Sequence, residues 1–293
     1  MMVFFLILSL FFVQSPVEIK GMEGISYRAC IEKGSLYFQY KIRERWSEPV
    51  IIDSGGILEF SIAVTPGDFL HIVWCKEGRV WYKTTLQPIT PWFIRQGGVP
   101  QWSEKIPISE SLRTEPASNP FVEAEGEWVY VVWRGPNEEG EDIGEIWQRK
   151  GIIQPPRTPD WRRPRNMSLS PQRESNYPTM STGKVVAYQE SLPDNWEVYA
   201  NLPIPSETVN ISRTPTNSFY PHTSLLPAPP SIPFEWQLFS IWTESMLDSF
   251  YRVIFNNYFF QPRFPSEPVI DVIPGLPEPS PYCLKRDSFI DFG

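Results

Sequence analysis

The sequence is poor in the groups that usually carry chemistry. It has two histidines and three cysteines in 293 residues. Cys30, Cys75 and Cys283 form no CxxC pair, which argues against a structural zinc site. Their odd number leaves at least one thiol unpaired. Cys75 sits in a strand-like run and reads as a small buried hydrophobe. His71 lies within the strand-like "FLHIVW", and neither it nor His222 accompanies a motif that would support a Ser-His-Asp triad. P-loop and GxGxxG patterns are also missing. No cofactor and no metal are expected. The loop "PNEEGEDIG" (Pro136 to Gly144) has carboxylates that calcium could use. It lacks spaced D-x-D-x-D-G ligands and reads as a charged hairpin tip.

Clustered basic residues are missing too. The net charge is −8, and the one basic run, Arg157 to Arg165, falls in a loop-like stretch. Nucleic acid is therefore not an expected partner. Nor is there a helical period of useful length.

Proline and aromatics are plentiful: 32 prolines and an aromatic share of 15%. Prolines at that density exclude long helices and punctuate short segments. Trp, Tyr and Phe favour strands. Both features point to an all-β chain.

Val3 to Val13 is an apolar run broken once, by Ser9. It is too short to span a bilayer and suits the core of an export signal, although a basic leading region is missing. Residues 1–21 are expected to be signal-like. Export would place the mature chain outside the cytoplasm, and an uncleaved N-terminal segment would be its one contact with a membrane.

Between these ends the chain repeats itself. "WSEPVIID" at Trp46 is echoed by "WSEKIPIS" at Trp102 and "WRRPRNMS" at Trp161, then by "PSETVNIS" at Pro205 and "PSEPVIDV" at Pro265. A second landmark is an apolar run closed by an aromatic, at Trp74, Trp133, Tyr188 and Trp242. Such a run suits a strand buried on both faces. "RVWYK", "EIWQRK", "EVYAN" and "YRVIFN" follow these runs, and "LEFSIAV", "NPFVEA", "YPTMS" and "YPHTSLL" precede them. Each unit thus holds four short strands. A four-stranded antiparallel sheet repeated around an axis is a β-propeller blade. The expected domain covers residues 22–272, with five blades and a monomeric chain. Gly24 to Pro49 would supply an incomplete first blade. The tail, 273–293, would either close that blade or begin a further domain.

The order seen in "SNPFVEAEGEWVYVVWRG", "GEIWQRKG" and "WRRPRNMS" resembles the bacterial neuraminidase repeat of sialidase-like propellers. The resemblance covers about four-fifths of the chain and identifies a propeller class. The family's Asp-box is absent. In sialidase-like enzymes three arginines hold a carboxylate, beside an acid and a tyrosine–glutamate nucleophile pair.

The links between blades contain Arg113, Arg173 and Arg213, and the loops after each second strand are acidic, with Glu190 and Glu244 among them. Guanidinium forks suit bidentate carboxylate binding. Arginines and acids on one face also form solvated ion pairs of little weight. The sequence singles out no facing carboxylate pair for glycoside hydrolysis. The expectation is a non-catalytic propeller that binds a protein or glycan, with a sialidase-like hydrolase as the alternative. Asn166-Met-Ser168 and Asn210-Ile-Ser212 fit the glycosylation sequon, yet they occupy the same repeat position.

Overall fold

The computed structural model describes residues 16–21, 24–42, 44–109, 116–137, 143–155, 157–181, 183–203, 206–227, 236–245, 250–260 and 283–285. They form five antiparallel sheets. Sheet 1 contains β1 (Val17–Lys20), β2 (Ser26–Glu32), β3 (Ser35–Ile42), β4 (Arg45–Trp46) and β5 (Val50–Asp53). Sheet 2 contains β6 (Glu59–Val64), β7 (Leu70–Lys76), β8 (Arg79–Thr84) and β9 (Ile106–Pro107), with helix α1 (Pro91–Arg95) between the last two. Sheet 3 contains β10 (Ser118–Glu125), β11 (Trp128–Pro136), β12 (Gly144–Gln154), β13 (Arg157–Trp161) and β14 (Arg165–Asn166). Sheet 4 contains β15 (Ser175–Ser181), β16 (Val185–Ser191), β17 (Trp196–Pro203) and β18 (Ser206–Asn210). Sheet 5 contains β19 (Ser218–Pro227), β20 (Trp236–Ser245), β21 (Phe250–Phe260) and β22 (Cys283–Lys285).

The first strands of successive sheets touch in order, β1 to β6, β6 to β10, β10 to β15 and β15 to β19. This is the blade order of a β-propeller, as the repeat implies. Among the described residues no helix is long and apolar enough to cross a membrane.

Among the described residues the core consists of four apolar clusters, one between each pair of consecutive sheets. The second strands explain them. In β7, Leu70, Ile72 and Trp74 project into the cluster shared with sheet 1, and Val73 into the cluster shared with sheet 3. In β11, Val129, Val131 and Trp133 face sheet 2, and Val132 faces sheet 4. Side chains alternate along a strand, so a strand with neighbours on both faces must be apolar throughout. The closing aromatics Trp74, Trp133, Tyr188 and Trp242 are all buried. Each joins the cluster shared with the preceding sheet.

The repeated "WSE" has a backbone role. Ser47 Oγ accepts from Tyr40 N at 3.2 Å, and Ser103 Oγ accepts from Thr84 N at 3.2 Å. Each hydroxyl also donates to the next carbonyl, at Glu48 and Glu104. The serine thereby clamps the turn onto the third strand. Trp102 bridges two sheets by standing edge-on to Phe38, with centroids 5.2 Å apart. Trp46 stays on sheet 1, where the Arg28 guanidinium lies 4.2 Å from its ring.

At the ends of the described residues, Val17–Lys20 pairs with β2 at the edge of sheet 1. Cys283–Lys285 pairs with β21 in sheet 5.

Candidate functional site

The links between sheets and the loops after each second strand lie at one end of the propeller, where the first strands begin. Three of those strands begin alike. Ser118-Asn119-Pro120, Asn176-Tyr177-Pro178 and Phe219-Tyr220-Pro221 each interrupt the register with their second strand. The middle residue is left-handed, with φ of 49° at Asn119, 49° at Tyr177 and 52° at Tyr220. Asparagine tolerates this region; tyrosine rarely enters it. A non-glycine residue held there costs about 1–3 kcal/mol, and such strain concentrates at ligand sites.

Neighbouring sheets hold two of these bulges, at Asn119 and Tyr220. Glu59, which opens β6, accepts from Asn119 N at 2.6 Å and from Asn119 Nδ2 at 3.0 Å. Gln189 Oε1 accepts from Tyr220 N at 3.3 Å. The Tyr177 and Tyr220 rings meet edge to face, with centroids 4.9 Å apart and planes at 70°. They remain 38% and 53% exposed. Partial burial, then Tyr220 and the Glu59 carboxylate, push the Tyr177 phenol above its ordinary range.

Buried carboxylates surround this end. Glu190 and Glu244 occupy the same position in sheets 4 and 5, opposite Ser175 and Ser218. Glu190 accepts from Ser170 Oγ at 2.9 Å and from Arg173 Nη1 at 3.1 Å. Its hydrogen bond raises the Arg173 guanidinium further above its usual range. Glu244 accepts from Trp242 Nε1 at 3.0 Å and Thr216 Oγ1 at 3.5 Å. Arg213 is exposed and bonds back to the Asn210 carbonyl through Nε at 3.0 Å. Arg173 and Arg213 thus have separate local partners. Arg113 lies outside the described residues, as do Glu138, Glu139, Glu141 and Asp142 of the acidic loop.

Three further groups escaped the sequence reading. Glu145 and Glu197 follow the same repeat position at the start of the third strands and are buried. Glu145 is bonded by Asn166 Nδ2. Glu197 is bonded by Ser212 Oγ, Thr214 N and Asn195 Nδ2. The legible signal was the twice-written Asn-x-Ser. Ser168 Oγ and Ser212 Oγ also accept from Ile146 N and Val198 N, at 3.1 and 2.9 Å. Both sequons therefore work as structural clasps, with Asn166, Ser168 and Ser212 buried. The third group is Arg134, which pairs with Glu174 at 3.3 Å. It crosses Gly144, where a Cβ would overlap its guanidinium.

Other reactive groups are held away from chemistry. His71 is fully buried, with Nδ1 2.6 Å from the Tyr82 hydroxyl, and burial holds its imidazole down to about 3. Burial pushes the Cys75 thiol well up. Among the described residues no three His, Cys, Asp or Glu side chains are placed to hold a metal.

No protein-family model matches the chain, and no curated protein matches it. Solved structures do. An α-L-arabinofuranosidase from Fusarium graminearum, determined with an iminosugar inhibitor, superposes with a TM-score of 0.51 at 8% identity, covering 83% of this chain and 79% of that one. An α-L-arabinanase from Penicillium chrysogenum gives 0.49 at 9% identity, covering 81% and 76%. TolB from Acinetobacter baumannii gives 0.44 at 11% identity, covering 84% and 52%. At these identities the likeness concerns the fold. The chain is an all-β propeller of antiparallel blades.

Proposed function

We propose that this chain is an exported, five-bladed propeller that binds a protein or glycan ligand without turning it over. The ligand meets the end where the first strands begin. One observation carries this reading: exposed Tyr177 and Tyr220 are held in a left-handed conformation at matching positions of adjacent sheets. Backbone strain of this kind clusters at ligand sites. The acids and arginines around them are engaged with each other and with backbone, as binding scaffolds require. Export rests on the apolar run at Val3 to Val13.

A hydrolase reading retains one supporting feature. Glu190 and Glu197 stand opposite each other across β16 and β17, at the same end. Their engagement with Ser170, Arg173 and Ser212 favours a structural role.

Glycan and peptide arrays probed with the purified protein test the proposal. A ligand found there should be lost by the Tyr177→Ala/Tyr220→Ala double variant while its melting temperature stays near that of the parent. Binding that survives in the folded double variant removes this face from consideration.

A further inference from the structure

Glu59, Asn119, Tyr177 and Tyr220 lie at the starts of four successive first strands. Their arrangement restricts the chemistry of a ligand. A sugar stacks on one flat ring face. Here two rings meet at 70°, which makes a corner and not a platform. A corner suits a compact group that can meet one ring face and the neighbouring ring together. Ring faces carry negative quadrupole density and attract cations.

Negative charge lies on the same arc. Glu59 supplies a carboxylate on the arc, and its field reaches the Tyr177 phenol. The described arginines of this end are turned elsewhere: Arg134 to Glu174, Arg173 to Glu190, Arg213 to its own turn. The chain as a whole carries −8, which draws cations in from solution. The sequence choice is also informative. Sheet 3 places asparagine at this left-handed position, where it is tolerated; sheets 4 and 5 place tyrosine. Both rings thus stand on strained backbone.

We propose that the corner between Tyr177 and Tyr220 binds an alkylammonium group. This rests on the reading that the same face is the binding face. The group could be free, as in choline, or carried on a methylated lysine of a protein partner; the chemistry recognised is the same.

The test compares choline with 3,3-dimethylbutan-1-ol, its neutral isostere, by ligand-observed NMR titration of the full chain. Cation–π attraction predicts that choline binds at least about tenfold more tightly than the isostere. Tyr220→Leu should weaken choline by about tenfold, and Tyr177→Phe, which keeps the ring face, should change it little. Glu59→Gln should weaken choline and leave the isostere unchanged. Circular dichroism and melting temperature establish that each variant is folded. A trimethyllysine peptide that binds more tightly than choline assigns the ammonium to a protein partner; a peptide no better than choline assigns it to a small molecule. Equal binding of choline and its isostere, or no choline binding by the folded wild type, overturns the proposal. If an array ligand is lost in the tyrosine double variant while choline fails to bind, the alkylammonium inference falls and the binding face stands. If the array ligand survives in that variant, the binding face falls with it.

Discussion

Arg173 Nη1 lies 3.1 Å from Glu190 Oε1, and the two differ in exposure: the arginine is half exposed and the carboxylate is 3% exposed. The exposed partner therefore serves the buried one. Arg173→Ala leaves a buried carboxylate short of a donor, and a loss of about 1–3 kcal/mol is expected in urea denaturation. Arg173→Lys should restore part of it. A purely catalytic arginine would instead leave stability unchanged.

His71 predicts a pH dependence of stability. Its folded value is held to about 3 by burial, against about 6.5 in an unfolded chain. Below about 6.5 the unfolded state binds a proton that the folded state refuses, so stability falls as pH drops toward 3. The slope from this residue is at most about 1.4 kcal/mol per pH unit. His71→Asn cannot titrate, so its stability curve should be flatter than that of the wild type across this window. Parallel curves from denaturant titrations would show that His71 is not the group responsible.

The Asn-x-Ser clasp can be tested in one sheet and checked in another. Ser212→Ala removes the acceptor for Val198 N and a donor to buried Glu197. A loss of about 1–3 kcal/mol follows. Ser168→Ala should behave alike at Ile146 N. In a double-mutant cycle, Ser212→Ala and Glu197→Gln should couple by more than about 0.5 kcal/mol, because they share one contact.

Trp102 gives a graded prediction. Its ring bridges to Phe38, but its Nε1 is buried without a partner among the described residues. Trp102→Ala should cost about 3 kcal/mol, the low end for a large aromatic, because the side chain is only partly buried. Trp102→Phe keeps an aromatic contact and removes the unsatisfied donor, so it should cost clearly less. Chemical denaturation of the pair decides it; equal losses would show that the indole N–H matters.

Much of the fold was legible because propeller blades bury their second strands on both faces. That physics writes apolar runs closed by Trp74, Trp133, Tyr188 and Trp242 into the chain. The ends were harder. β1 is four residues long with partly buried Val17 and Ile19, and next to the apolar run of Val3 to Val13 it carried no independent signal. The candidate site was legible only in its charges. Glu190 and Glu244 announced themselves by sign and spacing. Tyr177 and Tyr220 read as ordinary strand formers, since nothing in a tyrosine advertises a left-handed backbone. The repeated Tyr-Pro at one repeat position was the available clue.

The central claim, binding without turnover, meets its most direct test in a fluorogenic glycoside panel of sialosides, arabinosides and xylosides. The purified protein should release no fluorophore above the buffer rate on any of them. Turnover that disappears in folded Glu190→Gln or Arg173→Ala protein would contradict the account and make this end of the propeller an active site.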